Sequence, residues 1–158
     1  MASSQKNLSD YSSANLTDVS KKRFAIVVSE WNEEVTESLY SGAYQTLLQH
    51  GVNSKNIVRK QVPGSFELTL AAQWCAQDEQ IDAVICLGCV IQGETRHFDF
   101  ICDAVANGIT QVSLKYNKPV IFGVLTPNTQ QQALDRAGGK HGNKGDEAAI
   151  TAIKMLGF

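Results

Sequence analysis

Positive charge is not in excess in this chain: 14 Lys and Arg face 16 Asp and Glu across 158 residues, for a formal net charge of −2. Without a basic field there is nothing to hold nucleic acid or an acidic membrane surface. No apolar run approaches the ~20 residues that a membrane-spanning helix requires. Residues 1–20 lack the apolar stretch of a secretory signal. They are rich in Ser, Asn and Asp, and read as a polar arm that is disordered or ordered only by pairing with something else. Cysteine is sparse, at four residues. Cys86 and Cys89 stand in a C-x-x-C spacing, but strand residues three apart point to opposite faces, and no second pair completes a zinc set. The expectation is four buried free thiols, including Cys75 and Cys102, in a reducing cytosol, with no metal.

What is present suits a globular protein: 43% of residues are apolar and 19% charged. A chain of this length makes one domain that buries its own core without staples. The organisation expected is therefore an arm over residues 1–20 and a single domain over 21–158.

Along that domain, strand and helix patterns alternate. Phe24–Val28 is continuously apolar, as expected of a strand covered on both faces. Glu33–His50 reads helical, with Val35, Leu39, Ala43 and Leu47 on one face and Gly51 closing it. Ile57–Val62 is a more polar strand, placed at a sheet edge and ended by Pro63-Gly64. Ser65 opens a helix to about Gln77. A third strand covers 83–91, and the helix after it carries Phe98, Ile101, Val105, Ile109 and Val112 at helical spacing. Pro119–Leu125 is a fourth strand. Two helical stretches follow, about 129–137 and 145–156, with a Gly-rich link between them. This order predicts an α/β fold: a three-layer α/β/α sandwich around a four-stranded parallel sheet, flavodoxin-like, with right-handed crossovers.

In such sheets ligands bind beyond the carboxyl ends of the strands. Those ends carry Ser29-Glu-Trp-Asn32, Pro63-Gly-Ser-Phe-Glu67, Gln92-Gly-Glu-Thr-Arg-His97 and Phe122–Pro127. The third reads as a helix start with a histidine one turn inside. A helix N-terminus presents unpaired N–H groups that bind anions, and Gly93 lets a ligand approach the backbone. A plain strand-to-helix turn with a surface histidine would look the same in isolation. One rim nevertheless collects an aromatic ring, a carboxylate, an anion cradle and a histidine.

Taken together these segments resemble the lumazine synthase family. The resemblance rests on Trp31-Asn32, Pro63-Gly-Ser-Phe-Glu67, Gly93-Glu-Thr-Arg-His97-Phe-Asp99, Pro119-Val-Ile-Phe-Gly123, Arg136-Ala-Gly and Gly142-Asn-Lys-Gly145. It spans about Phe24 to Leu156 with order and spacing intact. It departs at Glu30, where many relatives carry a basic residue. The activity implied is a transferase of riboflavin biosynthesis. It joins 5-amino-6-(D-ribitylamino)uracil to 3,4-dihydroxy-2-butanone 4-phosphate, giving 6,7-dimethyl-8-ribityllumazine, phosphate and water. No cofactor is implied.

By the same resemblance, Trp31, Asn32, Ser65, Phe66, Glu67, Val90, Ile91, Phe122 and Lys144 surround the pyrimidine and its ribityl chain. Glu94, Thr95 and Arg136 hold the phosphate, and His97 shuttles protons. Each has a plainer alternative: Trp31, Val90, Ile91 and Phe122 as core, Ser65 and Glu67 as helix capping, Arg136 and Lys144 as solvated cations. His50 and His141 read as surface residues.

The resemblance also implies a homo-oligomer whose sites lie between adjacent subunits of a pentamer. One subunit brings Trp31, Glu67 and His97, and the next brings Phe122, Arg136 and Lys144. The short link from Arg136 to Gly145 leans towards an icosahedral shell of pentamers, and part of residues 8–19 would add as a strand to a neighbour's sheet. Three other functions are compatible with the fold. They are a riboflavin synthase of the archaeal type, a flavin or lumazine carrier or empty structural shell without turnover, and a flavodoxin-like electron carrier. The last is disfavoured by the absence of a Ser/Thr/Gly-rich loop after the first strand.

Overall fold

The computed structural model describes residues 16–158. Alternation of side chains along two central strands dictates its layers. β1 (Phe24–Ser29) and β3 (Ala83–Cys89) are buried along their whole length. Phe24, Ile26 and Val28, with Ala83, Ile85, Leu87 and Cys89, enter one apolar cluster. Ala25, Val27, Val84 and Cys86 enter the other. Strand periodicity of two therefore feeds two cores, one on each face. Cys86 and Cys89 fall in different cores, as the spacing predicted. Burial is incomplete for the other two thiols: Cys75 and Cys102 are partly exposed, because both sit on amphipathic helices rather than on a strand.

The sheet is parallel throughout, in the order β2-β1-β3-β4. β2 (Ile57–Val62) takes the expected edge, and β4 (Val120–Leu125) forms the opposite one. On one face lie α1 (Glu33–Gln49) and α5 (Lys144–Leu156), whose apolar stripes Val35, Leu39, Ala43, Leu47 and Ala149, Ile150, Ile153 build the first core. On the other lie α2 (Leu68–Gln77) and α3 (His97–Tyr116), contributing Leu68, Ala72, Val105 and Ile109. Each large aliphatic side chain so buried is worth about 1.5–3 kcal/mol relative to exposure. The three-layer α/β/α architecture is the one expected.

Two glycines let α1 and α5 close on each other. A Cβ at Gly145 would lie 1.9 Å from the Leu39 carbonyl oxygen, and one at Gly42 would lie 2.3 Å from Asp146 Oδ1.

Three boundaries differ from the sequence reading. The third strand ends at Cys89, and Val90–Arg96 runs on irregularly, so His97 is the first residue of α3 rather than one turn inside. The helix expected over 129–137 is the short α4 (Gln130–Leu134). After it comes an antiparallel hairpin, β5 (Ala137–Gly139) and β6 (Gly142–Asn143). Gly138 (φ 103°) and Gly142 (φ 73°) adopt the left-handed conformation this tight hairpin needs. Of the arm, only residues 16–20 are described. Val19 is fully buried and Leu16 packs on the first core, whereas most of the 8–19 segment expected to pair with a neighbour lies outside the described residues.

Candidate active site

The carboxyl ends of β1, β2 and β3 converge on a hollow lined by Trp31, Asn32, Gly64, Ser65, Phe66, Glu67, Val90, Ile91 and His97, with Cys89 and Ile101. Eight of the thirteen site residues expected from sequence meet here. The backbone sets their positions. Glu30 and Trp31 donate their N–H groups to the carbonyls of Val62 and Pro63, at 2.8 and 3.1 Å, tying the end of β1 to the end of β2. Val90 and Gln92 donate to Leu125 and Pro127, at 2.8 and 3.0 Å, tying the end of β3 to that of β4. Trp31 is 73% exposed and Phe66 52%, so neither ring is a core residue.

Of the capping alternative for Ser65 and Glu67, the first-turn placement of the Glu67 carboxylate holds, but no side-chain capping bond forms. Ser65–Glu67 forms a 3₁₀ turn leading into α2, and neither that turn nor α2 has a side-chain cap. The Ser65 hydroxyl is buried and has no hydrogen-bond partner among the described residues. An unpaired buried hydroxyl costs free energy unless something supplies a partner. Val90 and Ile91 are partly buried against opposite cores and so offer edges to the hollow.

Gly93, Glu94 and Thr95 lie exposed just before α3, beside the hollow but not lining it. The His97 N–H donates to Thr95 Oγ1 at 3.4 Å, so the hydroxyl keeps its own hydrogen for a ligand. A side chain built at Gly93 would meet nothing within 4 Å, leaving the backbone open to approach. Arg96, not singled out from sequence, pairs loosely with Asp99 at 3.6 Å with both side chains well exposed.

Phe122, Arg136 and Lys144 form a separate group. They line a second hollow along β4 together with Gln132, Glu147, Thr151 and the 119–128 segment, and the two hollows share no residue. Phe122 is 42% exposed on the edge strand, so it is not core within one chain. Arg136 donates from one guanidinium nitrogen to the Gln132 carbonyl at 3.1 Å. Its neighbour Asp135 is engaged elsewhere. The side chains of Gln131 and then Lys140 hold the Asp135 carboxyl below the usual carboxylate range. The hairpin bearing Arg136 and Lys144 is pinned to α1, since Ser38 Oγ donates to the Ala137 carbonyl and Asn143 Nδ2 to the Ser38 carbonyl. Asn143 Oδ1 also caps α5 by accepting from the Gly145 N–H at 2.8 Å.

Glu147 escaped the sequence reading. It is 7% exposed and its carboxylate meets the Lys144 ammonium. The signal was there, because residues three apart on a helix are neighbours. His50, expected at the surface, is half-buried at the end of α1, its Nδ1 2.8 Å from the Thr46 carbonyl. Burial pushes the Cys89 thiol, beneath the first hollow, up to about 12. It is therefore no nucleophile at neutral pH. Among the described residues no group of three or more His, Cys, Asp or Glu is placed to hold a metal ion.

Fold and site together define a parallel-sheet α/β protein whose carboxyl rim gathers a hollow walled by Trp31 and Phe66 and an open helix start at His97. The family model for 6,7-dimethyl-8-ribityllumazine synthase matches residues 21–158. The chain is 67% identical over 156 residues to the 6,7-dimethyl-8-ribityllumazine synthase of Cytophaga hutchinsonii, covering 99% of this chain and 98% of the relative. It is 54% identical to that of Parabacteroides distasonis over 158 residues, covering 100% and 99%. With that of Porphyromonas gingivalis the identity is 53%, covering 100% and 98%. This chain belongs to the 6,7-dimethyl-8-ribityllumazine synthase family.

Proposed function

We infer that this chain performs the family's reaction at the rim just described. A primary amine on the ribitylamino-pyrimidine condenses with the ketone of 3,4-dihydroxy-2-butanone 4-phosphate and releases water. Phosphate is then eliminated, the ring closes, and a further water leaves. Trp31 stacks on the pyrimidine, with Val90 and Ile91 at its edge. Glu67 accepts ribityl hydroxyls, and the backbone around Ser65 and Phe66 adds contacts. The amides around Glu94 and Thr95, the Thr95 hydroxyl and the Arg136 guanidinium hold the phosphate. Fork geometry suits Arg136 to that task, and the Glu94 carboxylate turns away from the anion.

His97 moves protons during amine attack, elimination and closure, a contribution of ~10²–10⁴-fold. The amine is already nucleophilic and the ketone electrophilic, so no covalent enzyme adduct is required. Holding the two substrates together dominates, since proximity contributes ~7–11 kcal/mol.

The observation that carries this reading is the separation of Trp31, Glu67 and His97 from Phe122, Arg136 and Lys144 into two hollows of one chain. Each hollow is half of a site, completed where adjacent copies meet in a pentamer, with pentamers assembling into an icosahedral shell. The large apolar side chains left exposed on α2 and α3, namely Leu70, Trp74, Phe100 and Leu114, also favour subunit contact. No helix among the described residues is long and apolar enough to cross a membrane. The four free thiols suit the cytoplasm.

The test is phosphate release from the butanone phosphate with and without the pyrimidine, alongside particle mass, for wild type and Arg136→Ala. Pyrimidine-dependent release from a particle of pentamers, strongly reduced at low butanone phosphate in the variant, supports the reading. Release that ignores the pyrimidine, or a monomeric active particle, contradicts it.

A further inference from the structure

Among the described residues of the rim, Asn32 alone besides glycine has a positive φ. It precedes α1 with φ 61° and ψ 47°, a left-handed conformation that L residues other than glycine rarely adopt. An asparagine in that place ordinarily turns its side chain back to cap the first helical N–H groups. Here it does not: α1 begins without a side-chain cap. Only its backbone carbonyl serves the helix, accepting from Val35 and Thr36 at 2.9 and 3.1 Å. The side chain instead reaches the end of the neighbouring strand, and Nδ2 donates to the Cys89 carbonyl at 2.9 Å, 57 residues away.

Both departures accompany one contact. Cys89 is the last residue of β3, directly before Val90 and Ile91. Trp31 is directly before Asn32, and its own N–H is held on the other side by the Pro63 carbonyl at 3.1 Å. The Asn32 amide is therefore a crossbar between the turn that carries the stacking ring and the strand end that carries the edge of the pyrimidine hollow.

We propose that Asn32 is a positioning residue: through its bond to the Cys89 carbonyl it fixes Trp31 against Val90–Ile91 and so sets the affinity for the pyrimidine substrate, without itself being required to touch it. This rests on the reading that Trp31 faces the pyrimidine. It reassigns Asn32 from the direct substrate contact that sequence suggested.

Three variants separate the alternatives. Asn32→Gly accepts the left-handed backbone at no steric cost but lacks the amide. Asn32→Asp keeps the size and tolerance of that backbone but has no donor for a carbonyl. Trp31→Ala removes the ring. Asn32→Gly and Asn32→Asp are expected to raise the KM and the equilibrium Kd for the pyrimidine about tenfold, as loss of one hydrogen bond does. The KM for the butanone phosphate should stay within about twofold and thermal unfolding should stay cooperative. In the Trp31→Ala background, Asn32→Gly should add almost nothing, because the two residues act through one effect.

Wild-type pyrimidine affinity in Asn32→Gly would overturn the proposal, leaving Asn32 a helix-start residue only. So would an equal rise in both KM values accompanied by a lowered melting temperature. A full additional loss from Asn32→Gly in the Trp31→Ala background would show direct substrate contact instead. If Trp31→Ala by itself leaves pyrimidine affinity unchanged, the stacking role of Trp31 fails, and that result is distinguishable from failure of the crossbar.

Discussion

Lys144 donates its backbone N–H to the carbonyl of Arg136 across 2.9 Å, so the two cations of the second hollow are hydrogen-bonded neighbours at the open end of one hairpin. Their side chains have different partners. Lys144 is committed to the buried Glu147, whereas among the described residues Arg136 makes no ion pair within 4 Å. The free charge of this hollow is therefore that of Arg136.

Arg136→Ala should raise the KM for the butanone phosphate about 10–100-fold, the range expected for charge-assisted hydrogen bonds. Arg136→Lys should recover only part of this, because an ammonium cannot make the two parallel bonds of a guanidinium. Steady-state kinetics with each substrate varied in turn check it, and the pyrimidine KM should move little.

Removing His97 tests how much of the rate is proton transfer. His97→Ala should lower kcat by ~10²–10⁴-fold at most and leave phosphate release above the uncatalysed background. A folded variant that binds both substrates and shows no turnover would contradict the dominance of proximity.

Glu147→Gln keeps the shape of the buried side chain and removes its charge. The Lys144 ammonium then loses its partner, at a cost of about 1–3 kcal/mol to stability. The effect is read as a lower urea midpoint at unchanged slope.

Gly145→Ala drives a methyl group into the Leu39 carbonyl oxygen, where the gap is 1.9 Å. Backbone cannot yield as a flexible side chain does, so the first turn of α5 must move, at a cost of about 1–3 kcal/mol or more. The same shift displaces Lys144, so thermal stability and activity should fall together.

Burial raises the folded thiol of Cys89 from 9.0 to about 12, and raises that of Cys86 further. Because the folded values lie above the unfolded ones, the stability they contribute is present below pH 9 and is lost as pH rises towards 12. Urea midpoints measured between pH 8 and 12 should fall, and Cys89→Ala should flatten that fall even though the variant starts less stable.

Most of the fold was legible because strand and helix periodicities are strong where side chains enter two cores. Ile26 and Val27 point to opposite faces, and Leu39 and Ala43 follow one helical stripe. The β5–β6 hairpin was not legible. Its residues, Ala137-Gly-Gly-Lys-His-Gly-Asn143, have almost no side-chain pattern, and the structure is made by backbone bonds and left-handed glycines. His97 was placed a turn too deep because Val90–Arg96 is irregular, tied to the end of β4 only through Val90 and Gln92, and α3 does not begin until His97. The rim residues were singled out from their types and order together with the family resemblance, and eight of them line one hollow. What sequence could not convey was that Asn32 spends its amide on Cys89, a contact between residues 57 apart.

The central claim is that each site is built from two copies of the chain, and mixing two disabled variants tests it most directly. His97→Ala damages one half and Arg136→Ala the other. Refolded together at equal amounts, they should form mixed assemblies in which about a quarter of the subunit junctions carry two intact halves, with activity recovered in proportion. If the mixture is no more active than the sum of the separately refolded variants, while its particle mass shows that the chains have co-assembled, the two halves belong to one chain and the account is wrong.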